Sequence, residues 1–355
     1  MLVSENFIIS KVRNSTLPEL SLENIPFGKH FTDHMFEANY VNGKWEKGEI
    51  KPYQDISIAP SLAALHYGQA IFEGVKAYKS VNGEVKIFRP DENFKRFNIS
   101  AERMEMPAIT EELFLDGMKA LVKLDERWVP DFPDHSLYIR PFMFSSDELI
   151  GVRPSETYKF LIILSPTGPY YNVPMRIYVE EKYVRAVPGG VGYAKAAGNY
   201  GAAMYPSAEA KRKGYDQVLW TDAFEHKYVQ ECGTMNIFFI IGDIAITPTL
   251  EQGTILAGVT RESVIDLLKE MDINVEERRL GVDEIEEAYK AGTLKEVFGT
   301  GTAVTISKVK ELRYKDFTMK FDVDTWKIAP EIKKRMSAIK KGEVDDRFGW
   351  MTSLT

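Results

Sequence analysis

The first half of the chain shows the alternation of apolar and polar residues that is typical of strands, interrupted by two stretches with helical periodicity. In VKAYKSVNGEVKIFR, two alternating runs flank Asn82-Gly83, which is a strong signal for a hairpin turn. Apolar residues recur at helical spacing over 90–104 and again over 110–127, where Thr110 can cap the helix. SLYIRPFMF and YKFLIILSP then predict two buried strands. This region is therefore expected to combine strands with two amphipathic helices.

A cluster of prolines divides this pattern into two parts. Residues 166–174, PTGPYYNVP, contain three prolines and one glycine, so we expect an interdomain linker over 166–176 between domains at 1–165 and 177–355. The second part opens with a predicted strand, MRIYVEEKYVRA, and contains two amphipathic helices, TRESVIDLLKEMD and VDEIEEAYKAG. A helix that ends near Lys213 is expected to begin near Pro206, because proline disrupts the interior of a helix.

Composition and charge narrow the classes of protein to which the chain can belong. With 355 residues, of which 44% are hydrophobic, the chain can bury a large core. Its net charge of −7 argues against nucleic acid and anionic membranes as partners. Cys232 is the single cysteine, which excludes an intrachain disulfide and a Cys₄ zinc site and fits a reducing cytosol. We expect a cytoplasmic location, because there is no secretory apolar core and no apolar run long enough to span a membrane.

One lysine lies in an unusual environment. Between Ala186 and Ala208, Lys195 is the only charged side chain, and five glycines and seven alanines surround it. Small neighbours let a bulky ligand approach the backbone, and the lack of nearby charge favours the neutral, nucleophilic amine. A free lysine must lose roughly three pKa units to be half neutral near pH 7. The pattern is typical of a lysine that forms an imine with a carbonyl, and a glycine-rich loop with one solvated lysine is the alternative.

Three further segments could complete a site around this lysine. Residues 253–263 form a glycine-rich turn that enters a helix near Thr260, where backbone N–H groups attract phosphate. Gly299-Thr-Gly-Thr-Ala303 could present N–H groups to an anion, and Glu231 is a carboxylate in an uncharged strand that needs a partner such as a ring N–H. Each has a structural alternative, namely a helix cap, a tight bend and a salt bridge to a lysine. Arg140 also needs an anion, because it lies in the apolar strand LYIRPFMF.

Signatures of nucleotide-binding and metal-binding sites are missing from the sequence. GGVGYAKAAG lacks the last glycine of G-x-G-x-x-G, since Lys195 takes its place, and no G-x-x-x-x-G-K-[ST] occurs. There is no H-E-x-x-H, and His66, His135 and His226 show no ligand spacing. We therefore expect no metal site.

Eight ordered motifs run along nearly the whole chain, between Phe27 and Phe317. They are LHYGQAIFEGVKAY, IFRPDENFKRF, LYIRPF, GVGYAKAAGNYG, QVLWTD, QECGTMNIFF, ILAGVTRES and EVFGTGTAV. On these motifs the chain resembles the branched-chain amino acid aminotransferases, in the pyridoxal-phosphate-dependent group that also contains D-amino acid aminotransferases and aminodeoxychorismate lyases. The resemblance implies the mixed α and β fold of this group, with a smaller α/β domain and a larger β-rich pseudo-barrel domain with helices that binds pyridoxal 5′-phosphate.

The resemblance also implies a role for each residue that contacts the cofactor. Lys195 corresponds to the lysine that holds the cofactor as an imine and, once released, moves a proton at the substrate α-carbon. Glu231 corresponds to the carboxylate that keeps the pyridine nitrogen protonated, so that the ring accepts electrons. The other implied contacts are Tyr200 at the phenolic oxygen, Leu256 on the ring, Thr234, and Arg96, Val259, Thr260 and Thr302 at the phosphate.

An aliphatic pocket with one arginine is implied for the substrate. An apolar side chain gains about 0.8 kcal/mol per buried methylene, which favours leucine, isoleucine or valine over alanine by roughly 1.5–2.5 kcal/mol. Glutamate must enter the same pocket, and the resemblance offers Arg140 as the partner of its side-chain carboxylate. The α-carboxylate would meet the amides of Thr302 and Ala303. The implied pocket residues are Phe27, Tyr67, Phe72, Tyr138, Arg140, Val152, Tyr170, Thr302 and Ala303, with Thr234 beside them.

The activity that the resemblance implies is transamination of leucine, isoleucine or valine with 2-oxoglutarate, which gives branched-chain 2-oxo acids and L-glutamate. A homodimer whose sites take residues from both subunits is also implied. The alternatives that stay open are another reaction of the same group, a protein that binds the cofactor without turnover, and a structural protein without a cofactor. The presence of Lys195, Glu231, Tyr200 and Arg96 counts against a protein without turnover. The segment after Lys341 is assigned no role.

Overall fold

The computed structural model describes residues 2–3, 6–169 and 173–355. The chain forms two compact units. The first contains Met1–Tyr170, Ala194–Ala197 and Ser337–Thr355, and the second contains Tyr171–Tyr193 and Gly198–Met336. Lys195 therefore belongs to the first unit, whereas the residues on either side of its tetrapeptide belong to the second.

The first unit is built on a mostly antiparallel sheet that has eleven strands among the described residues. A π-helical turn, Glu112–Asp116, directly precedes the third helix of this unit. Ten of the strands precede the second unit in the chain: β1 (Leu2–Val3), β2 (Ile8–Ile9), β3 (His34–Val41), β4 (Lys44–Trp45), β5 (Glu49–Pro52), β6 (Ala70–Phe72), β7 (Val75–Lys79), β8 (Val85–Phe88), β9 (Ser136–Ser145) and β10 (Tyr158–Thr167). The helices are α1 (Ala63–Tyr67), α2 (Pro90–Arg103) and α3 (Gly117–Leu124).

The long strand β9 places alternate residues on the two faces of this sheet. Leu137 and Ile139 are fully buried in the hydrophobic core that also contains apolar residues of α2 and α3. Tyr138 and Arg140 therefore lie on the opposite face. A slip of one residue would exchange the two faces, so burial of the apolar set fixes which polar side chains point away from the core.

The predicted hairpin and the first predicted helix are confirmed. Strands β7 and β8 pair antiparallel, and Gly83 in their turn has a φ of +82°, a conformation that favours glycine. Helix α2 occupies the predicted stretch. The second predicted helix does begin after Thr110, whose Oγ1 accepts the N–H of Leu113 at 3.3 Å, but it is shorter than expected because α3 ends at Leu124.

The second unit is built on a nine-stranded sheet in the described part of the chain. Its strands are β11 (Met175–Val179), β12 (Gln217–Thr221), β13 (Val229–Cys232), β14 (Asn236–Ile241), β15 (Ile244–Thr247), β16 (Asn274–Glu277), β17 (Leu294–Gly301), β18 (Thr305–Tyr314) and β19 (Phe317–Lys320). They follow the order β13-β12-β11-β18-β17-β14-β15-β16, with β19 on β18. The helices of this stretch are α4 (Ala197–Arg212), α5 (Val259–Glu270), α6 (Val282–Lys290) and α7 (Ile328–Lys340).

Two sequence predictions for this part of the chain are wrong. The strand predicted over MRIYVEEKYVRA is short, because β11 ends at Val179 and the carboxylate of Glu180 accepts the N–H groups of the next turn. The helix expected to begin near Pro206 begins at Ala197, so that the proline lies inside α4. Pro206 is buried within the helix, although it has no backbone N–H to donate to the preceding turn.

The C-terminal segment, Ser337–Thr355, adds an edge strand to the first unit. Strand β20 (Met351–Ser353) pairs with β8, which completes the order β1-β2-β5-β3-β10-β9-β7-β8-β20, with β4 on β3 and β6 on β9. The N–H of Arg89 donates to the carbonyl of Trp350 at 2.7 Å. Lys340 Nζ lies 4.4 Å from the ring centroid of Phe88. The segment to which the sequence assigned no role thus closes one edge of the sheet.

Membrane-spanning and metal-binding features are absent from the described residues. No helix in the described ranges is long and apolar enough to cross a membrane. The same residues contain no group of three or more histidine, cysteine, aspartate or glutamate side chains placed to hold a metal ion. Cys232 is a free, buried cysteine, and burial, with Glu231 beside it, raises the pKa of its thiol to about 12.

Candidate active site

The backbone of Lys195 is fixed on both sides within the first unit. Its N–H donates to Ser100 Oγ at 2.9 Å, and its carbonyl accepts the N–H of Phe72 at 3.1 Å. The flanking residues Ala194 and Ala196 are each 1% exposed, and Ala196 forms a β-bridge with a residue of β6. Side chains larger than alanine would not fit at these two positions without displacing their neighbours, so these two alanines serve close packing.

The side chains of Lys195 and Arg140 lie near the same aromatic ring. Lys195 Nζ is 4.9 Å and Arg140 Cζ is 4.6 Å from the ring centroid of Phe72, so the two cations are less than about 10 Å apart. Arg140 Nη2 donates to the hydroxyl of Tyr138 at 2.8 Å, and the ring of Tyr138 meets that of Phe27 edge to face at 5.0 Å. We call these five residues the Phe72 cluster.

Arg140 retains an unused donor within this cluster. Its Nε is buried and has no hydrogen-bond partner among the described residues. A buried donor without an acceptor costs about 1–3 kcal/mol. This donor is therefore suited to an anionic group that enters the cluster with a ligand.

A glycine and a buried lysine surround Tyr138. A Cβ atom at Gly74 would collide with the Tyr138 hydroxyl, so glycine is required there for the tyrosine to keep its position. Lys76 lies directly opposite Tyr138 in the β7–β9 pairing. Burial lowers the pKa of Lys76 to about 8, although Asp134 acts in the opposite direction.

Arg96, the predicted phosphate contact on α2, forms a buried ion pair. Its Nε and Nη2 donate to the two carboxylate oxygens of Glu73 at 2.7 and 2.8 Å. Asn93 Nδ2 donates to the same carboxylate at 2.7 Å, and the N–H of Gly74 donates to it at 3.1 Å. Burial by itself raises the pKa of Glu73, but Arg96, then Lys195 and Asn93, hold this pKa below its ordinary value. Glu73 is thus an ionised carboxylate that orients the guanidinium.

Glu231 on β13 is the buried carboxylate of the second unit, with 2% of its surface exposed. Its Oε1 accepts the N–H of Leu256 at 2.7 Å, and its Oε2 lies 2.9 Å from Arg185 Nε. Glu231 thus contacts an arginine, whereas the structural alternative considered from the sequence was a salt bridge to a lysine. Both oxygens are therefore bound by donors that favour the charged form.

The segment that binds Glu231 leads directly into α5. Asn236 Nδ2 donates to the carbonyl of Leu256 at 2.9 Å, and a Cβ atom at Gly258 would collide with the Asn236 side chain. Helix α5 then begins at Val259, with Gly258 as a cap residue that supplies no side-chain hydrogen bond. Val259 and Thr260 are buried in its first turn. A helix start without a side-chain cap favours an anion.

Four other predicted residues of the second unit lie in turns and on α4. Thr302 and Ala303 belong to the loop between β17 and β18, whose strands pair up to Gly301 and Thr305. Tyr200 lies on α4 and is half-buried, and Thr234 is an exposed turn residue between β13 and β14. Their roles stay predictions.

Two predicted pocket residues of the first unit lie outside the Phe72 cluster. Tyr67, at the end of α1, is 41% exposed, and Val152, in the loop after β9, is 91% exposed. Tyr170, a further predicted pocket residue, lies outside the described residues.

The sequence interpretation missed four residues that contact or lie opposite predicted ones. They are Glu73, Lys76, Ser100 and Arg185. Glu73 and Lys76 lie inside the quoted motif LHYGQAIFEGVKAY, where a charge in a strand-like run is a signal that such reasoning could use. Ser100 and Arg185 carry no such signal, since their partners are distant in sequence.

Comparison with known proteins assigns the family. Residues 70–312 match the class IV amino-transferase family. The probable branched-chain-amino-acid aminotransferase of Staphylococcus epidermidis is 47% identical over 348 residues, covering 96% of this chain and 97% of that protein. Branched-chain-amino-acid transaminase 1 of Bacillus subtilis is 47% identical over 334 residues, covering 92% of this chain and 94% of that protein.

Solved structures of similar fold agree with this assignment. The crystal structure of the Escherichia coli branched-chain amino acid aminotransferase has a TM-score of 0.73 at 26% identity, covering 90% of this chain and 99% of that one. A branched-chain amino acid aminotransferase complexed with N-(5′-phosphopyridoxyl)-L-glutamate has a TM-score of 0.72 at 25% identity, covering 90% of this chain and 98% of that one. The expected fold class and the expected cofactor, pyridoxal 5′-phosphate, are confirmed. The chain belongs to the class IV aminotransferases, as its resemblance to the branched-chain amino acid enzymes predicted.

Proposed function

We propose that the protein transfers the amino group of leucine, isoleucine or valine to 2-oxoglutarate, with pyridoxal 5′-phosphate as cofactor. The high identity to branched-chain aminotransferases over nearly the whole chain supports this activity. The observation on this chain that carries the proposal is the Phe72 cluster, which combines aromatic surface for an aliphatic side chain with a buried arginine donor.

The residues present fit the cofactor. Glu231 is a buried carboxylate in an otherwise uncharged strand, and the segment that binds it continues into the uncapped start of α5. When bound, pyridoxal 5′-phosphate supplies a carbonyl and an electron-accepting ring. We assign Lys195 to the carbonyl, Glu231 to the ring nitrogen, Tyr200 to the phenolic oxygen, and Leu256 and Thr234 to the ring and its surroundings. Arg96, Val259, Thr260 and Thr302 are assigned to the phosphate.

Lys195 supplies the amine that moves the proton at the substrate α-carbon. An amine carries out this transfer if it is within reach of the carbon and returns to the same position after each step. The two backbone hydrogen bonds to Ser100 and Phe72 restrict its position. The amine then approaches the α-carbon only by rotation about the bonds of the lysine side chain.

The pocket accepts two chemically different side chains. Phe27, Phe72 and Tyr138 offer aromatic surface to an aliphatic chain, for which burial contributes about 0.8 kcal/mol per methylene. The side-chain carboxylate of glutamate or 2-oxoglutarate instead accepts a hydrogen bond from Arg140 Nε. The α-carboxylate is assigned to the amides of Thr302 and Ala303.

A homodimer in the cytoplasm is part of the proposal. Ile150 and Val152 expose 71% and 91% of their surface in one loop, which supports a role for this loop at a subunit interface. Tyr67 is exposed as well and stays assigned to the substrate pocket, which in the proposed homodimer takes residues from both subunits. The cytoplasmic location is supported by the single cysteine, which is free and buried.

Comparison of glutamate with leucine as amino donor tests the proposal. We expect Arg140→Met to lower kcat/KM for glutamate at least about 100-fold and that for leucine less than about tenfold, because only glutamate brings a second carboxylate. Arg140→Lys, which keeps the charge, should recover part of the glutamate activity. An equal loss for both donors would assign Arg140 a structural role, and faster turnover of D-alanine than of L-leucine would contradict the branched-chain activity.

A further inference from the structure

The second unit contains a buried ion pair whose arginine has no part in the proposed function. Arg185 Nε lies 2.9 Å from Glu231 Oε2, and the two side chains are 7% and 3% exposed. Taking two charges out of water is costly, and an apolar pair of similar volume is often as stabilising. Stability alone is therefore a weak reason for this pair, and the chemistry of Glu231 is a stronger one.

Arg185 is held in a single position by its other hydrogen bonds. Its Nη1 donates to the carbonyl of Thr254 at 2.6 Å and to that of Gly192 at 3.2 Å, and its Nη2 donates to Gly192 at 3.2 Å. Gly192 belongs to the loop that precedes Lys195 in the chain, and Thr254 precedes Leu256, the second donor to Glu231. The guanidinium thus ties Glu231 to both segments by a planar fork that a lysine cannot reproduce.

We infer that Arg185 is a positioning residue that keeps Glu231 ionised, so that the proton shared with the ring nitrogen of the cofactor stays on the nitrogen. The inference rests on the proposed function, in which Glu231 meets that nitrogen. Arginine keeps its charge at every working pH, and a cation in contact with a carboxylate lowers the proton affinity of the carboxylate. Without that cation, a buried carboxylate takes up a proton more readily. The ring would then be neutral and would accept electrons less well.

Pyridoxamine 5′-phosphate is the probe that tests this inference, because it forms no imine with Lys195. Two quantities are measured on apoprotein between about pH 6 and pH 9: the dissociation constant of the probe, and the ultraviolet band of the bound probe, whose position reports whether the ring nitrogen is protonated. The variants are Arg185→Met, Arg185→Lys, Glu231→Gln and the Arg185→Met/Glu231→Gln double variant. Arg278→Met is the matched control. Arg278 belongs to the same unit and, like Arg185, donates to glutamate side chains, in its case those of Glu276 and Glu284.

We expect a protonated ring in the wild type and in Arg278→Met. Arg185→Met should weaken binding at least about tenfold and give the band of the unprotonated ring, whereas Arg185→Lys should keep the protonated band with weaker binding. Glu231→Gln should give the unprotonated band. In that background, Arg185→Met should change the dissociation constant less than about twofold, because a residue that acts through another has no effect once the other is gone.

Two results would overturn the inference. One is an Arg185→Met protein that keeps the protonated band at every pH and loses only thermal stability. The other is an effect of Arg185→Met that is as large in the Glu231→Gln background as in the wild type, which would mean that the arginine acts independently of the glutamate. If Arg185→Met does not fold, the comparison within the Glu231→Gln background decides, because the double variant leaves no unpaired charge of this pair. The double variant should bind the probe within about twofold of Glu231→Gln, and a larger loss would overturn the inference. Failure of the proposed function is seen separately, as wild-type protein that does not transaminate leucine.

Discussion

Each of the two units contains a buried pair of one glutamate and one arginine, and the pairs differ in which member is assigned to the cofactor. In the first unit Arg96 is the assigned contact, and the fully buried Glu73 supports it. In the second unit Glu231 is the assigned contact and Arg185 supports it. The same chemistry is thus used in opposite senses, once to present a cation to a phosphate and once to present an anion to a ring nitrogen.

The geometry of the two pairs follows this difference. Glu73 accepts both Nε and Nη2 of Arg96, so the carboxylate fixes the plane of the guanidinium. Glu231 instead divides its oxygens between Arg185 Nε and a backbone amide, so the carboxylate itself is the fixed group. In each pair the residue assigned to the cofactor is held by donors or acceptors that do not depend on a ligand. This is the preorganisation that electrostatic catalysis requires.

Replacing each of the two glutamates by glutamine should give the largest difference in activity between the two pairs. We expect Glu231→Gln to lower kcat at least about 100-fold, because the ring nitrogen loses the charge that keeps it protonated. Glu73→Gln should lower kcat less than about tenfold but weaken binding of the cofactor, since only the orientation of Arg96 is lost. Steady-state kinetics at saturating cofactor, with fluorescence titration of apoprotein, separate the two effects.

Stability provides the control for this pair of variants. Each substitution leaves a buried arginine without its counterion, so both should destabilise the apoprotein by about 3 kcal/mol in urea unfolding. The two glutamates would be equivalent, and the comparison wrong, if kcat fell by the same factor in both variants.

The buried lysines of the first unit differ from the two paired arginines in charge, because burial lowers the pKa of a lysine whereas an arginine stays charged. Burial, and then Lys76, lowers the pKa of Lys340 from 10.5 to about 7, although Asp134 opposes the change. Between pH 7 and pH 10 the unfolded chain therefore binds a proton that the native protein does not, so stability should rise with pH in this window. The slope for one lysine is at most about 1.4 kcal/mol per pH unit. Lys340→Met should reduce this slope and stabilise the protein at pH 7.

Thermal unfolding between pH 7 and pH 9 measures this effect. Lys86→Met is the control, because this lysine of β8 belongs to the same unit but is 37% exposed in its side chain. Equal pH slopes in wild type and Lys340→Met would contradict the assignment of a lowered pKa to this buried lysine.

The smallest effect concerns Cys232, the neighbour of Glu231. Burial raises the pKa of its thiol to about 12, so the thiolate that reacts is almost absent at neutral pH. A thiol reagent should therefore leave native protein unmodified and fully active, and should modify one thiol per chain after denaturation. Rapid modification of Cys232 in the native protein, with loss of activity, would show that solvent and reagent reach the surroundings of Glu231.

Motifs and periodicity predicted the elements that depend on local sequence. The hairpin around Gly83 and the start of α5 at Val259 follow from turn and cap residues, and both are present. The start of the helix that contains Pro206 was placed too late, because proline lowers the local preference for a helix interior and the burial of this residue is a tertiary property. Likewise, the length of β11 depends on a turn stabilised by Glu180, which no alternation reveals.

The residues of the candidate site likewise fall into those that a single segment reveals and those that depend on the folded chain. Lys195, Arg140 and Glu231 could be chosen because each is the single charge in its stretch, which is visible in one segment. Their partners could not be predicted, because a pair such as Arg185 and Glu231 forms only when distant segments fold together. The unused donor of Arg140 is likewise a property of its surroundings in the folded chain.

The identity of the amine that holds the cofactor is the central claim, and mass spectrometry tests it most directly. Holoprotein is reduced with borohydride, digested, and searched for the added mass of the phosphopyridoxyl group. We predict this mass on the peptide that contains Lys195, with no such peptide from Lys195→Ala. The mass on another lysine, for example Lys76 with its pKa of about 8, and none on the Lys195 peptide would contradict the account.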